Sequence, residues 1–228
     1  MKLKKLTCVL LALMLLLSLA ACGGSDDKTP AGSGEPAKPD SGKAPDVLTE
    51  DYLRTLPESD PADFTFSNDG DGLRLDAYHG SDTVVVVPAA VDGKPVVSAA
   101  FGVFSSAVKS EVRAVRFPAS VRLLSGTFSA SDNIEIVICE GLETCGEMTF
   151  FQCPKLRTIV FGEALQVIEK QGITHCENLE EIYIAPTMTT IKNKNLTFKS
   201  CPKLTIVGQA GSYIEEAAKE MGIPFRAK

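Results

Sequence analysis

The chain has 228 residues, with 23 Lys or Arg against 29 Asp or Glu, so its formal net charge at neutral pH is −6. This length is sufficient for one domain preceded by a leader. Because the chain is acidic and shows no cluster of Lys and Arg, nucleic acid and anionic lipid surfaces are unfavourable partners.

The first predicted element is an export leader, residues 1–21. Three lysines near the start precede an apolar core of about fourteen residues, which is too short for a comfortable membrane span. The next residues, LAAC (19–22), resemble the lipobox of bacterial lipoproteins, and this resemblance implies cleavage before Cys22 and lipidation of that cysteine. The alternatives are an ordinary signal peptide cut at an Ala-x-Ala site and an anchor that is not cleaved. We therefore expect an exported protein, held by its lipid alone on the outer face of a bacterial envelope membrane.

A flexible linker is predicted for residues 22–47. In segment 23–45, nine of 23 residues are Gly or Pro and none is a large apolar residue. Such a segment buries too little surface to offset its ordering entropy. The segment that follows, residues 48–62, contains LTEDYLRTL (48–56), which predicts a short helix with Thr49 as its N-cap.

A β-hairpin is expected to open the repeat domain. The segments FTF (64–66) and LRL (73–75) flank NDGDG (68–72), a turn sequence. The same five residues faintly resemble a calcium loop, but a twelve-residue loop numbered from Asp69 ends on Gly80, where a bidentate Glu is required. We therefore expect a turn and no metal site.

A repeat of 22 to 25 residues occupies most of the remaining chain. Its frame is Phe-x-x-Cys-x-x-Leu-x-x-Ile-x-Ile, whose second half has leucine-rich spacing. The first position is filled by Phe104, Phe128, Phe150, Ile173 and Phe198, and the second by Ser131, Cys153, Cys176 and Cys201. Equivalent side chains of successive turns are expected to stack as ladders inside the coil, about 4.7–4.9 Å apart.

The last predicted element is a capping helix over residues 211–222. Ser212 is a candidate N-cap, Glu215 lies at the third helical position, and Gly222 can end the helix. One apolar face runs along this segment. It favours a cover for the open end of a solenoid, and a partner-binding helix is the alternative.

The repeats, together with YHGSDTVVVVPAAVDGKPV (78–96) and GSYIEEAAKEMGIPF (211–225), resemble the BspA-like leucine-rich repeat family of bacterial surface proteins. For residues 63–228 the resemblance implies a repeat solenoid, mostly β, with an N-terminal β cap and a C-terminal capping helix. It also implies a right-handed coil with a parallel sheet on its concave face, and a role in adhesion or host interaction.

The cysteines of the repeat domain are odd in number and lack the spacing of a zinc site. Their register favours buried core thiols, with one disulfide or a metal or redox site as alternatives. His175 adjoins Cys176, but neighbours in an extended segment point to opposite sides, so the pair is a poor nucleophile and base. We therefore expect no catalytic residue, no cofactor and no metal.

A binding face is predicted on the outward side of the repeat strands. Residues flanking the buried pair of each strand point out of the sheet, and large exposed apolar patches mark binding sites or self-association. The alternatives are the general preference of strands for β-branched residues and cover by a tail or a second subunit. The predicted partner-binding residues are Val86, Arg116, Ile136, Ile138, Thr158, Val160, Glu181 and Tyr183.

The expected partner is a protein or glycan ligand at a cell surface, bound in adhesion or in host or envelope interaction without catalysis. One alternative is a structural scaffold that binds another component of the same cell surface. The other is an enzyme with an unrecognised site.

Overall fold

The computed structural model describes residues 44–109 and 111–228. The predicted leader, the predicted lipidation site Cys22 and nearly all of the predicted linker lie outside the described residues. Within these two ranges, no helix is both long and apolar enough to cross a membrane.

Short strands dominate the described chain. The helices are α1 (Glu50–Thr55), α2 (Ser106–Lys109) and α3 (Tyr213–Met221), and a 3-10 turn covers Pro61–Asp63. The strands are β1 (Phe64–Asp69), β2 (Gly72–Tyr78), β3 (Val84–Val86), β4 (Ala90–Val91), β5 (Lys94–Ala99), β6 (Ala114–Arg116), β7 (Leu123–Leu124), β8 (Ile136–Cys139), β9 (Thr144–Cys145), β10 (Phe150–Phe151), β11 (Thr158–Phe161), β12 (Val167–Ile168), β13 (Ile173–Thr174), β14 (Glu181–Tyr183), β15 (Thr190–Ile191), β16 (Thr205–Gly208) and β17 (Phe225–Ala227).

Two sheets enclose the core. Sheet I has seven strands, all parallel, in the order β17-β16-β14-β11-β8-β6-β3. Sheet II has eight strands in the order β1-β2-β5-β7-β9-β12-β15, with β4 paired to β5. From β6 to β16 each turn gives a strand first to sheet I and then to sheet II, and β10 pairs with β13 between them. A chain that alternates between two parallel stacks of strands in this way is a β-solenoid, and this confirms the predicted repeat architecture.

The two inward positions of the sheet I strands lie in the core, as the repeat frame requires. They hold Val115, Phe117, Val137, Cys139, Ile159, Phe161, Ile182 and Ile184. Burial of a large apolar side chain contributes roughly 1.5–3 kcal/mol, and no single turn can bury its apolar face without its neighbours. The stacked turns therefore stabilise one another.

An aromatic ladder runs beside these pairs. The rings of Phe104 and Phe128 stack with centroids 5.4 Å apart and an interplanar angle of 16°. Phe128 and Phe150 continue the stack at 5.3 Å and 7°. Stacked pairs at this separation contribute about 0.5–1.5 kcal/mol beyond their burial. The predicted ladder at the first repeat position is therefore present.

The bends that lead back to sheet I contain non-glycine residues in the left-handed region. Ala130, Gln152 and His175 have φ values of 56°, 57° and 55°, each one residue before the second ladder position. Their amides point to the following turn: that of Ala130 donates to the Phe151 carbonyl at 2.8 Å, and that of His175 to the Lys199 carbonyl at 2.8 Å. Left-handed backbone is unfavourable for side chains with a Cβ, and these bonds between turns offset the strain.

The N-terminal end of sheet II is formed by the β1–β2 hairpin. Its turn falls at Gly70 and Asp71, within the stretch predicted to turn. Strand β2 pairs in parallel with β5, and the hairpin adds Phe64, Leu75 and Tyr78 to the core.

Helix α3 confirms the predicted C-terminal helix. Gly222 ends it in the left-handed region, with φ 68°. Ser212 occupies the predicted N-cap position, but its side chain makes no capping bond, because its hydroxyl donates to the Gln209 carbonyl at 2.5 Å instead of accepting from the helix. The start of the helix is fixed by Glu215, whose carboxylate accepts from the Gly211 amide at 2.6 Å.

Candidate recognition surface

The outward face of sheet I brings the predicted binding residues together. Register aligns equivalent residues of neighbouring strands side by side, so two rows run across the sheet. One row holds Val86, Arg116, Ile138 and Val160, and the other holds Ile136, Thr158 and Glu181, with Tyr183 two residues beyond Glu181 on the same face.

The N-terminal part of the described chain covers one half of this face. We call this segment, residues 44–59, the strap. Helix α1 lies within it and begins after Thr49, whose hydroxyl accepts from the Tyr52 amide at 3.2 Å. Leu48 and Leu53 are fully buried and form a second, small core with outward side chains of sheet I.

The prediction that Ile136 and Ile138 are exposed is therefore wrong. Both residues point outward, but only 2% and 0% of their surface remains accessible, because they share the second core with Leu48 and Leu53. Val86 is buried as well. The strap reaches it through Ser59, whose amide donates to the Val86 carbonyl at 2.8 Å.

Two arginines just before strands of sheet I hold the beginning of the strap. Arg113 donates to the main-chain carbonyls of Pro45 at 3.2 Å and Asp46 at 2.8 Å. Arg157 donates to the carbonyl of Leu48 at 3.4 Å. These contacts fix the path of the strap through its backbone, so they depend little on the side chains of the residues they hold.

Glu135 orients both arginines. Its carboxylate accepts from Arg113 at 2.7 Å and from Arg157 at 3.1 Å. Burial acts to raise the pKa of Glu135, but the hydrogen bonds and charges of the two arginines outweigh it and lower this pKa overall. Glu135 is therefore ionised at neutral pH and keeps the two guanidinium groups in place.

The other end of the strap is held near the opposite ends of the strands. Arg116, a predicted binding residue, donates to the Leu56 carbonyl at 2.7 Å. Arg54 of the strap pairs with Glu140 at 2.7 Å and with Glu50 at 2.6 Å. The hydrogen bond from Arg54 lowers the pKa of Glu140. Such exposed pairs contribute only about 0–1 kcal/mol, so they add orientation more than stability.

The other half of the face is an open groove of about 380 Å³. Glu50 of the strap and Lys228 line it together with the sheet. It contains the four predicted residues that stay at least partly exposed: Thr158, Val160, Glu181 and Tyr183. Val160 lies at the boundary, since it also packs against the edge of the second core.

Tyr183 is the partly exposed aromatic residue of the groove, and its neighbours hold it in place. The Lys228 ammonium lies 4.2 Å from its ring centroid, and its hydroxyl donates to Glu163 Oε1 at 3.2 Å. Burial and the Glu163 carboxylate raise the pKa of Tyr183. Arg226 pairs with Glu181 at 2.6 Å beside it. An aromatic residue among oriented charges is an arrangement suited to binding.

The repeat-domain cysteines are free thiols, four of them buried and Cys201 partly exposed. Burial raises the pKa of Cys145 to about 12. A hydrogen bond with Cys153 raises the pKa of Cys176, and one with Cys176, together with burial, raises that of Cys201. The thiols of Cys145, Cys176 and Cys201 are therefore protonated at neutral pH, which agrees with the predicted core role.

The extended backbone expected at His175 is wrong, because this residue is left-handed, with φ 55°. Its ring packs on Phe151, with centroids 5.6 Å apart, while Cys176 lies in the core. Across the described ranges, no group of three His, Cys, Asp or Glu side chains is placed to hold a metal ion.

Sequence reasoning missed the anchors of the strap. A signal for them was present, because one charged residue directly precedes each of four successive strands of sheet I. These residues alternate in sign along the solenoid: Arg113, Glu135, Arg157 and Glu180.

Comparisons with known proteins agree with this architecture. A model of the BspA type leucine-rich repeat region matches residues 103–216, in six copies. The solved leucine-rich repeat protein of T. pallidum is 26% identical, with a TM-score of 0.60 over 66% of this chain and 71% of that one. The pneumococcal vaccine antigen PcpA is 12% identical, with a TM-score of 0.51 over 74% of this chain and 49% of that one. A search of the curated proteins found no match.

Proposed function

The chain belongs to the BspA-type leucine-rich repeat family, and from this premise we propose that it is a non-catalytic recognition protein of a bacterial cell surface. It binds a protein or glycan through the outward face of sheet I. The family supports a binding role, and a structural relative described as a vaccine antigen supports exposure at the surface.

The observation that carries the proposal is the open groove. It retains four residues of the predicted binding rows in a concave site, with Tyr183 among charged neighbours and Val160 beside it. Central aromatic anchors surrounded by polar groups are the usual anatomy of a protein interface. A partner therefore gains both apolar burial and orientation there.

A lipid on Cys22 completes the proposal by holding the domain at a membrane. Residues 44–47 of the predicted linker belong to the strap, where Arg113 holds Pro45 and Asp46. A flexible chain made of the remaining residues, 22–43, would have a mean reach of about 25 Å. The domain would thus turn freely above the lipid surface and meet partners from several directions.

The test compares two variants of the protein on arrays of surface proteins and glycans. Tyr183→Ala with Val160→Lys changes the groove, and Val167→Lys is the matched control, since Val167 is a half-buried valine on sheet II. We expect wild-type ligands to bind the control and to lose at least tenfold in affinity for the groove variant. Equal affinity of a ligand for both variants, with unchanged melting, would remove the groove as the binding site.

A further inference from the structure

The strap is a peptide that already binds the outward face of sheet I. Its two leucines, Leu48 and Leu53, are buried on an apolar floor that contains Ala114, Ile136 and Ile138. An amphipathic segment with its apolar side on a hydrophobic surface is a recurrent mode of peptide recognition. The contact within the chain therefore shows what kind of ligand this face can hold.

Main-chain recognition adds a second feature of peptide binding. The guanidinium groups of Arg113, Arg116 and Arg157 donate to four carbonyls of the strap, at 2.7–3.4 Å. Peptide carbonyls are present in every sequence. These arginines can therefore donate to other peptide segments that place leucine-type side chains on the same floor. A glycan offers no such regular row of carbonyl acceptors along an apolar side.

The strap is held less firmly than the solenoid beneath it. Helix α1 has six residues, and a helix this short is unstable unless it is packed. The large buried side chains of the strap are Leu48 and Leu53. The apolar side chains of a repeat turn, by contrast, are buried between two neighbouring turns. Segments with few buried apolar contacts open at lower free energy than the rest of a fold.

The groove continues the surface that the strap occupies. Arg157 lines the groove and also binds the strap, and Glu50 of the strap lies in the groove lining. A segment bound in the groove is thus adjacent to the covered half of the face, because Val160 of the groove pairs in register with Ile138 on the next strand.

We propose that the outward face of sheet I recognises a short amphipathic segment of a partner protein, and that the strap is its competing intramolecular occupant. This inference rests on the proposed function, because it names the partner class and the regulation of the same face. The strap lowers the apparent affinity for the partner in proportion to the fraction of molecules in which the strap is bound. Its effective concentration is of millimolar order, as for other short tethers.

The test uses a synthetic fluorescent peptide with the sequence of residues 44–59, added to the purified protein and followed by fluorescence anisotropy. In the loosened variant Leu48→Ser with Leu53→Ser, the strap no longer fills the floor. We expect this variant to bind the peptide at least tenfold more tightly than wild type. A peptide carrying the same two serines is the matched control and should bind neither protein.

A second substitution locates the peptide on sheet I. Ile138→Lys in the loosened variant should abolish binding, whereas Val167→Lys on sheet II should not. If the loosened variant does not fold, Arg54→Gly weakens α1 from its exposed side without changing the floor, and it should raise peptide affinity in the same direction.

Two results would overturn the inference. Peptide binding that is absent from every folded variant, or equal in wild type and loosened protein, would show that the strap does not compete. If the loosened variant instead gains affinity for glycans on an array, the partner class is wrong, but the proposed function stands. The proposed function fails separately, when groove substitutions leave all ligands unaffected.

Discussion

The thiol of Cys153 donates a hydrogen bond to the main-chain carbonyl of Phe128, one turn earlier in the solenoid, at 3.1 Å. Cys176 repeats this contact with the Phe150 carbonyl at 3.3 Å. Ser131 occupies the same ladder position and bonds the Phe104 carbonyl. At three of the four repeats the position thus holds a small side chain that donates to the turn before it, and either a thiol or a hydroxyl can do so. Cys201 differs, because its thiol donates to the Lys199 carbonyl of its own turn.

Exchange at Ser131 tests this reading of the ladder. Ser131→Cys should change the free energy of unfolding by less than about 1 kcal/mol, since a thiol fills the same position in later turns. Ser131→Ala should destabilise by about 1–3 kcal/mol, because it removes the donor from a buried carbonyl. Urea denaturation gives both values, with Ser129→Ala, in the same bend but partly exposed, as the control. An alanine variant as stable as wild type would show that the bond contributes nothing.

Thiol reactivity should follow position along the ladder. Cys201 is partly exposed, whereas Cys153 and Cys176 are buried, and raised pKa values keep Cys176 and Cys201 protonated at neutral pH. Thiolate is the reactive form. We expect slow alkylation of the native protein, with Cys201 modified first, as followed by peptide mass spectrometry. Rapid native labelling of Cys153 and Cys176 would contradict the buried ladder.

Acid should loosen the strap. The pKa values of Glu135 and Glu140 are lowered in the folded protein, relative to about 4.3 for free Glu. Their contribution to stability is therefore complete above about pH 4.3 and is lost as pH falls through the lowered folded values. NMR signals of the Leu53 methyl groups between pH 7 and pH 3 report the release.

The control for this acid effect is the double variant Glu135→Gln with Glu140→Gln. Its strap should already be loosened at neutral pH, and its Leu53 signals should change less on acidification. The same acid response in both proteins would attribute the effect to other groups.

Membrane attachment is predicted to depend on Cys22. Cys22→Ala should leave the leader uncleaved or release the protein from membranes, because the lipobox-like sequence loses its acceptor. Cell fractionation and gel mobility measure both outcomes. A variant that fractionates and migrates like wild type would exclude lipidation at this residue.

The repeat architecture was predictable because it is encoded by side chains at regular intervals. The inward pair Ile159 and Phe161, for example, alternates with outward Val160, and the same alternation recurs in neighbouring turns. Helix α3 was predictable for the same reason, since its apolar face and Gly222 are local signals. The lack of a side-chain capping bond at Ser212 was not, because its hydroxyl has a competing acceptor nearby.

The strap could not be located from the sequence. Its contacts with Arg113, Arg116 and Arg157 are made through main-chain carbonyls, which have no sequence signature. The segment 48–56 predicts a helix, but nothing in it identifies the surface on which the helix packs. This is why cover by a tail was only an alternative to an open face, when the strap covers one half and the half around Val160 and Tyr183 is open.

The strap divides the outward face of sheet I into a covered and an open half, and hydroxyl-radical footprinting with mass spectrometry measures this division residue by residue. In the wild-type protein, Tyr183 and Val160 should be oxidised, while Ile136 and Ile138 should be protected. Leu48→Ser with Leu53→Ser should make Ile136 and Ile138 reactive and leave the rate at Tyr183 unchanged. Equal oxidation of Ile138 in the wild-type and substituted proteins would show that the strap does not cover this face.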